Sequence, residues 1–280
     1  MLDFKGALKR ISTINSDKYC LIIGGLGTNQ ARSPKIWNFF FKKNNLNCKM
    51  IPIEIKKNNL KKLFNYLSKD RKFIGGAVTK PYKEIIFKYL KKKTDIATKK
   101  IGSLNCIYKD KYLKGVNTDG LGFLKSLKKY KVQRNYKYVL LLGYGGAGKS
   151  VLVYLKKFFS KKTKIYCSNR TNKSKFVKKI GCKWVDWKNR HKILKNSDMV
   201  INCTSLGFSN KQHLSPINLN KSQNLKIVYD IIYNPKRTIL LKRAEKLNIN
   251  TINGLSMNSF QAFHAIKSVF RGKLNFKMFN

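Results

Sequence analysis

Apolar residues fall into two rhythms along this chain. Short unbroken runs at Tyr19–Ile23, Met50–Ile55 and Phe73–Val78 read as strands covered on both faces, the pattern of a parallel sheet. Between them the spacing changes to three and four. Ile36, Phe39 and Phe40 behind Pro34, and Leu60, Leu63, Phe64 and Leu67 within 58–67, predict helices, and Pro81 opens another to about Leu90. Ile101–Tyr108 and Tyr112–Val116 read as a strand pair about a turn at Lys109–Lys111. Asn117–Thr118–Asp119–Gly120 then punctuates, a helix from about 120 to 130 follows, and Lys131–Lys137 is a polar hinge candidate. A second series begins at Tyr138–Gly143. Its further strands are Lys164–Ser168, Met199–Cys203, Ile227–Asp230 and one near Ile249–Ile252, and a helix over Leu255–Phe270 closes it. The alternation predicts an α/β fold with a boundary near 120. The 280 residues suit two domains.

Charge changes the first guess about partners. The chain holds 61 Lys and Arg against 12 Asp and Glu, a formal net charge of +49, which points to nucleic acid. The distribution points away from it. Residues 1–140 carry +25 and residues 141–280 carry +24, and only nine of the 61 are Arg. Surfaces that read nucleic acid favour the bidentate guanidinium. Lysine spread evenly beside abundant Asn and Ile is the mark of compositional drift, with a selected polyanion-binding surface as the alternative. Six Cys form no Cys-x-x-Cys pair, and with three scattered His no zinc spacing arises, so no metal is expected. Buried free thiols in a reducing, cytoplasmic setting are expected instead. No apolar run is long enough to span a membrane, and the first 17 residues lack a secretory segment.

Four places stand out from the lysine background. Gly143–Tyr–Gly145–Gly–Ala–Gly148 follows an apolar strand and opens a helical stretch, Ser150–Phe159. In that context Gly143 permits a tight turn, Gly145 lets a pyrophosphate approach the backbone, and Gly148 allows close helix–strand packing. A dinucleotide is the first reading. A methyl-donor nucleotide or a plain glycine-rich turn are the others. No acid lies between Gly148 and Asp186, where an NAD site would hold the ribose 2′-hydroxyl, and Arg170 stands 22 residues past Gly148. A guanidinium there can pair with a 2′-phosphate, so NADP is favoured, against a solvated basic loop. Lys83, in Thr79–Lys–Pro–Tyr–Lys83–Glu84, sits on a first helical turn and is a candidate proton donor or acceptor, although most lysines here only solvate the surface. Asp119 is a scarce acid in a tight turn at the domain boundary. It is a ligand candidate, with helix capping as the alternative.

Taken together, these segments resemble the shikimate dehydrogenase family from about residue 19 to 270. The likeness rests on Ala31–Arg–Ser33–Pro34, Gly76–Ala–Val–Thr79–Lys–Pro81–Tyr–Lys83–Glu84, Gly102–Ser–Leu–Asn105 and Asn117–Thr118–Asp119–Gly120. It continues through Gly143–Tyr–Gly–Gly–Ala147, Asn169–Arg170–Thr171, Asn202–Cys–Thr204–Ser205, Tyr229–Asp230–Ile–Ile–Tyr233 and Gly254–Leu–Ser–Met257–Asn–Ser–Phe–Gln261–Ala262. The resemblance implies an N-terminal α/β substrate-binding and catalytic domain, 1–119, completed by 254–280 as the C-terminal helix returns to it. It implies a Rossmann-fold NADP domain over 120–253, and an active cleft between the two. The implied reaction is reversible hydride transfer between NADPH and 3-dehydroshikimate, giving shikimate. Lys83 and Asp119 are the implied catalytic pair. Ser33, Thr79, Asn105, Tyr233 and Gln261 are implied substrate-side residues. Gly145, Gly146, Ala147, Asn169, Arg170, Thr171, Thr204, Ile231, Gly254 and Met257 are implied cofactor contacts, beside Gly143 and Gly148 of the glycine loop.

The sequence departs from the family pattern in places. Ala31 replaces the first Ser of Ser-x-Ser-Pro, which removes one hydroxyl from the substrate-carboxylate loop. Ala77 stands where the family usually has Asn, the first glycine turn lacks its usual Pro within Gly25–Leu–Gly27–Thr28, and residues 1–17 extend beyond the usual start. A paralogue acting on quinate or a related polyol acid is therefore the neighbouring alternative. A catalytically degenerate polyanion-binding protein is the alternative of another class. The expected partners are an anionic small molecule and NADP, with neither membrane nor specific nucleic acid, in a monomer or homodimer.

Overall fold

The computed structural model describes residues 1–271 and divides into two compact units, Met1–Thr118 with the chain from Gln261 onward, and Asp119–Phe260. The last nine residues of the 254–280 segment lie outside the described residues.

The first unit runs α1 Phe4–Ser12, β1 Lys18–Gly24, α2 Ser33–Lys43, β2 Cys48–Glu54, α3 Leu60–Lys69, β3 Phe73–Val78, α4 Lys83–Leu90, α5 Ile96–Ile101, β4 Cys106–Lys109 and β5 Leu113–Val116. Its sheet has the order β2-β1-β3-β4-β5. The first three strands are parallel, and β4 and β5 are antiparallel additions. Strand β1 shows why its apolar run is unbroken. Tyr19, Leu21 and Ile23 enter one core with Leu60, Leu63, Phe64 and Leu67 of α3. Cys20 and Ile22, pointing the other way, enter a second core with Trp37, Phe40 and Phe41 of α2 and Ala265 and Ile266 near the C-terminus.

Residues 1–17, given no role from sequence, contain α1. Asp3 caps it by accepting the Gly6 N–H at 2.7 Å, and Ala7 and Ile11 are buried. Two sequence expectations are corrected. Residues 101–105 are not strand: Asp95 caps the short α5, and Gly102, at φ +72°, ends it in the left-handed conformation. The helix near Pro81 starts at Lys83, after a turn in which the Tyr82 N–H bonds the Thr79 carbonyl at 3.0 Å.

The second unit runs α6 Asp119–Lys129, β6 Tyr138–Leu142, α7 Gly146–Phe158, β7 Lys164–Asn169, α8 Ser174–Lys179, β8 Lys183–Asp186, α9 Arg190–Leu194, β9 Met199–Asn202, β10 Ile227–Asp230, α10 Ile239–Lys246, β11 Asn250–Ile252 and α11 Leu255–Val269. The division between units falls within α11. The strand order is β11-β10-β9-β6-β7-β8, with every neighbour parallel. The apolar pattern marks five of these strands and misses β8. Its four residues form an edge with both ends exposed, so no apolar run marks it. Gly120 brings α6 against α7, since a Cβ there would lie 2.1 Å from the Tyr154 ring.

Candidate active site

In the second unit the chain leaves β6 and crosses first to β7 on one side, then returns to β9 on the other. That reversal is the topological switch point of a doubly wound sheet, where the exit loops of two strands diverge and ligands bind. The loop after β6 is the glycine segment. Gly143 takes φ +98°, and a Cβ there would press within 2.9 Å of the Cys203 and Thr204 backbone. A Cβ at Gly148 would lie 2.1 Å from the Gly143 carbonyl oxygen. These two glycines are required by packing. Gly145 differs: a Cβ there would meet nothing within 4 Å, and Gly145 caps α7 with no side-chain bond. Gly145 therefore leaves an open cradle at the positive end of a 13-residue helix, which suits a pyrophosphate.

The exit of β7 flanks that cradle. The Asn169 carboxamide accepts the Tyr144 N–H at 3.1 Å and donates to the Thr171 carbonyl at 2.9 Å, so it braces the glycine loop. Arg170 is exposed, and among the described residues its guanidinium makes no hydrogen bond or ion pair. It is thus available to an anion held beside the loop. Thr204, on the β9 exit, bonds the Asn202 carboxamide oxygen through both its N–H (2.9 Å) and its hydroxyl (2.7 Å). Ile231 follows β10, and a Cβ at Gly254 would lie 2.0 Å from its carbonyl oxygen, so the exits of β10 and β11 meet there. Met257 is buried in the first turn of α11, and Tyr233 is half-buried.

In the first unit the sheet edge collects the other candidates. Ser33 follows β1 and starts α2. Thr79 follows β3, and Lys83 starts α4. Strand β4 is antiparallel to β3, so Asn105, just before β4, lies at the same edge, as does Thr118 after β5. Hydrogen bonds tie these segments together. The Leu104 N–H donates to the Lys83 carbonyl at 3.1 Å, and Val78 N–H donates to the Asn105 carbonyl at 2.8 Å. The buried Asn105 carboxamide donates to the Thr118 hydroxyl and to Gln261 Oε1, both at 2.9 Å, and accepts the Thr118 N–H at 2.7 Å. Asn105 and Gln261, 156 positions apart, therefore share one cluster. Ser33 is buried, and Thr79 and Lys83 are half-buried. Asp119 is buried, directly follows Thr118 and opens α6, so the structure counts it with the second unit.

Sequence reasoning assigned no role to Asn202, Thr118 or Asp230. Each lay inside a quoted motif. The available signal was Asp230, one of only 12 acids, at the end of a wholly apolar strand.

These features define a dinucleotide-binding α/β protein of two units, with a separate polar cluster at the edge of the first sheet. A family model described as the shikimate dehydrogenase substrate binding domain matches residues 23–107. The NADP(+) shikimate dehydrogenase of Clostridium botulinum is 36% identical over 248 residues, covering 86% of this chain and 93% of that protein. A crystal structure of a shikimate dehydrogenase in complex with NADP+ superposes with a TM-score of 0.81 at 30% identity, covering 90% of this chain and 89% of that one. The shikimate 5-dehydrogenase of Listeria monocytogenes, solved with shikimate and NAD, gives 0.79 at 26% identity, covering 93% and 94%. The chain belongs to the shikimate dehydrogenase family.

Proposed function

We propose that this chain is an NADP-dependent oxidoreductase that interconverts 3-dehydroshikimate and shikimate. The observation that carries the reading is the family match across 86% of the chain, joined to a glycine loop with an open cradle and an unengaged arginine beside it. In this reading residues 1–119 with 254–280 bind substrate and 120–253 bind the cofactor. The curated relative carries NADP(+) in its name, and the Listeria structure holds NAD. Arg170 favours the 2′-phosphate of NADP here, because a guanidinium makes charge-assisted, bidentate bonds to phosphate.

The bound cofactor supplies or receives the hydride. Lys83 handles the proton: its ammonium gives one to the carbonyl oxygen during reduction, and its amine takes the hydroxyl proton in reverse. The Asp119 carboxylate orients that exchange and hydrogen-bonds the substrate. Ser33, Thr79, Asn105 and Gln261 hold the substrate's hydroxyls and carboxylate, with Tyr233 as a further contact. Asn105 suits positioning, since three bonds to Thr118 and Gln261 fix its amide. Gly143 to Gly148, Asn169 to Thr171, Thr204, Ile231, Gly254 and Met257 form the cofactor side.

No helix among the described residues is long and apolar enough to cross a membrane. A cytoplasmic monomer or homodimer completes the reading, and six free cysteines, four of them buried, suit a reducing compartment. Ala31 motivates a second reading, a preference for quinate. The test is the rate of NADPH formation with shikimate and with quinate as substrate. Shikimate is expected to be turned over faster, and Ala31→Ser is expected to lower its KM. Faster turnover of quinate would replace the first reading with the second.

A further inference from the structure

Asp230 ends β10, and its carboxylate is fully buried. Each oxygen is engaged. Oδ1 accepts the Asn202 side-chain amide at 3.1 Å and the Ile232 N–H at 3.0 Å, and Oδ2 accepts the Thr238 hydroxyl at 2.8 Å. Asn202 ends the neighbouring β9. Its amide also donates to the Leu206 carbonyl at 3.1 Å, while its oxygen receives the N–H and hydroxyl of Thr204. The Ile231 N–H bonds the Asn202 carbonyl at 3.1 Å. Thr238 in turn caps α10. One carboxylate thus fastens the exit loop of β9, the exit loop of β10 and the start of α10.

An ionised carboxylate without a cation beside it is an expensive way to build a turn. Burial pushes the Asp230 carboxyl up to about 6, although the Ile232 N–H, Thr238 and Asn202 favour its charged form. Asp230 acts on two neutral neighbours, Cys203, on the β9 exit, and Tyr229, on its own strand, and no cation is among the groups that set its own shift. Burial pushes both upward, so both stay neutral. The charge is therefore uncompensated, and the loops it organises carry Thr204 and Ile231.

We propose that Asp230 is a positioning residue for the cofactor: through Asn202 and Ile232 it locks the β9 and β10 exit loops in one register, presenting Thr204 and Ile231 to the bound dinucleotide. This rests on the cofactor reading above. The brace needs the ionised form, whose oxygens receive only donors, so cofactor affinity weakens as pH falls through about 6. The 2′-phosphate of the cofactor titrates too, so an internal control is required.

The test measures NADP+ binding, shikimate KM and amide hydrogen exchange in the wild type, Asp230→Ala and Asp230→Asn. Asp230→Ala is expected to weaken NADP+ binding by about tenfold and to speed exchange at Thr204, Leu206 and Ile232, with little change in shikimate KM. Asp230→Asn, a permanently neutral isostere of the protonated acid that loses the acceptor facing Thr238, is expected to bind NADP+ at neutral pH as weakly as the wild type does below about 6. It also loses the part of the pH dependence that belongs to the carboxylate. Unchanged exchange in Asp230→Ala, an equal rise in both substrate constants, or a wild-type pH profile in Asp230→Asn would overturn the proposal. If Asp230→Ala does not fold, the pH profile of Asp230→Asn decides alone. Failure of the wild type to bind NADP+ would strike the cofactor reading instead, and the exchange data would still decide the brace.

Discussion

The two units build their sites in opposite ways. In the proposed reading the second unit centres its cofactor site on one continuous loop, Gly143 to Gly148, between a central strand and a helix. Backbone conformation shapes the proposed pyrophosphate cradle there, Asn169 braces it, and Arg170 is the side chain proposed to meet the 2′-phosphate. The first unit gathers single side chains from five separated segments, Ser33, Thr79–Lys83, Asn105, Thr118 and Gln261, onto one sheet edge. Three of them, Asn105, Thr118 and Gln261, are joined by hydrogen bonds. A backbone site tolerates drift in its surroundings but not at its glycines.

The difference can be broken most forcefully at Lys83. Lys83→Ala is expected to lower kcat by about 10²–10⁴ while leaving NADP+ binding near the wild-type value. A steady-state comparison checks this, and an equally active variant would remove Lys83 from the chemistry. Next is Arg170→Ala, which should raise the KM for NADP+ by roughly tenfold to a hundredfold and barely move that for NAD+. Equal shifts for the two cofactors would mean that Arg170 only solvates the surface. Asn105→Ala tests the cluster itself. Leaving the Thr118 N–H and Gln261 without their buried partner should cost roughly 1–3 kcal/mol of stability in a thermal melt and raise shikimate KM. NADP+ affinity should stay put, and a fall in it would show that the two sites are not built independently.

The smallest predicted effect concerns two acids at opposite ends of the second sheet. Burial alone would raise the Asp198 carboxyl, but the Tyr138 N–H, Lys226 and the Lys137 N–H hold it below its usual 3.8. Its stabilisation is present above 3.8 and fades as pH falls further. Asp230 has the opposite sign. Its folded-state value of about 6 lies above 3.8, so the folded protein holds that proton more tightly than the unfolded chain. Through that window stability rises as pH falls, and ionised Asp230 costs up to about 3 kcal/mol at neutral pH. Melts against pH should therefore show Asp198→Asn less stable than wild type at neutral pH. Asp230→Asn should match or exceed wild type there, with the gap closing as pH drops below about 6. A destabilised Asp230→Asn would show that the charge supports the fold.

The same contrast explains what is legible in the sequence alone. The glycine loop is legible because backbone demands leave a contiguous signature: Gly143 and Gly148 admit no Cβ, and they follow an apolar strand. Long strands buried on both faces, such as β1 and β3, are equally plain. The edge strand β8 and the short helix α5 are not. An exposed edge needs no apolar alternation, and a six-residue helix held by Asp95 and Gly102 hides inside a polar stretch. The first unit's candidates follow from resemblance, but the bonds that join them are out of the sequence's reach. Nothing local shows that Asn105 and Gln261 meet. Asp230 escapes notice for a similar reason: its partners, Asn202 and Thr238, come from other elements.

Charge also looks different beside these sites. A total of +49 spread evenly marks no surface, whereas Arg170 stands at the exit of β7 beside the cradle. The general excess can still raise the local concentration of an anionic substrate and cofactor, an effect that salt weakens.

The most direct test is a single assay: formation of NADPH, followed by its absorbance, when the purified 280-residue chain is mixed with shikimate and NADP+. Steady turnover is expected, clearly faster than with NAD+ and abolished in Lys83→Ala. Absence of NADPH formation from a folded protein that binds both ligands would contradict the assignment.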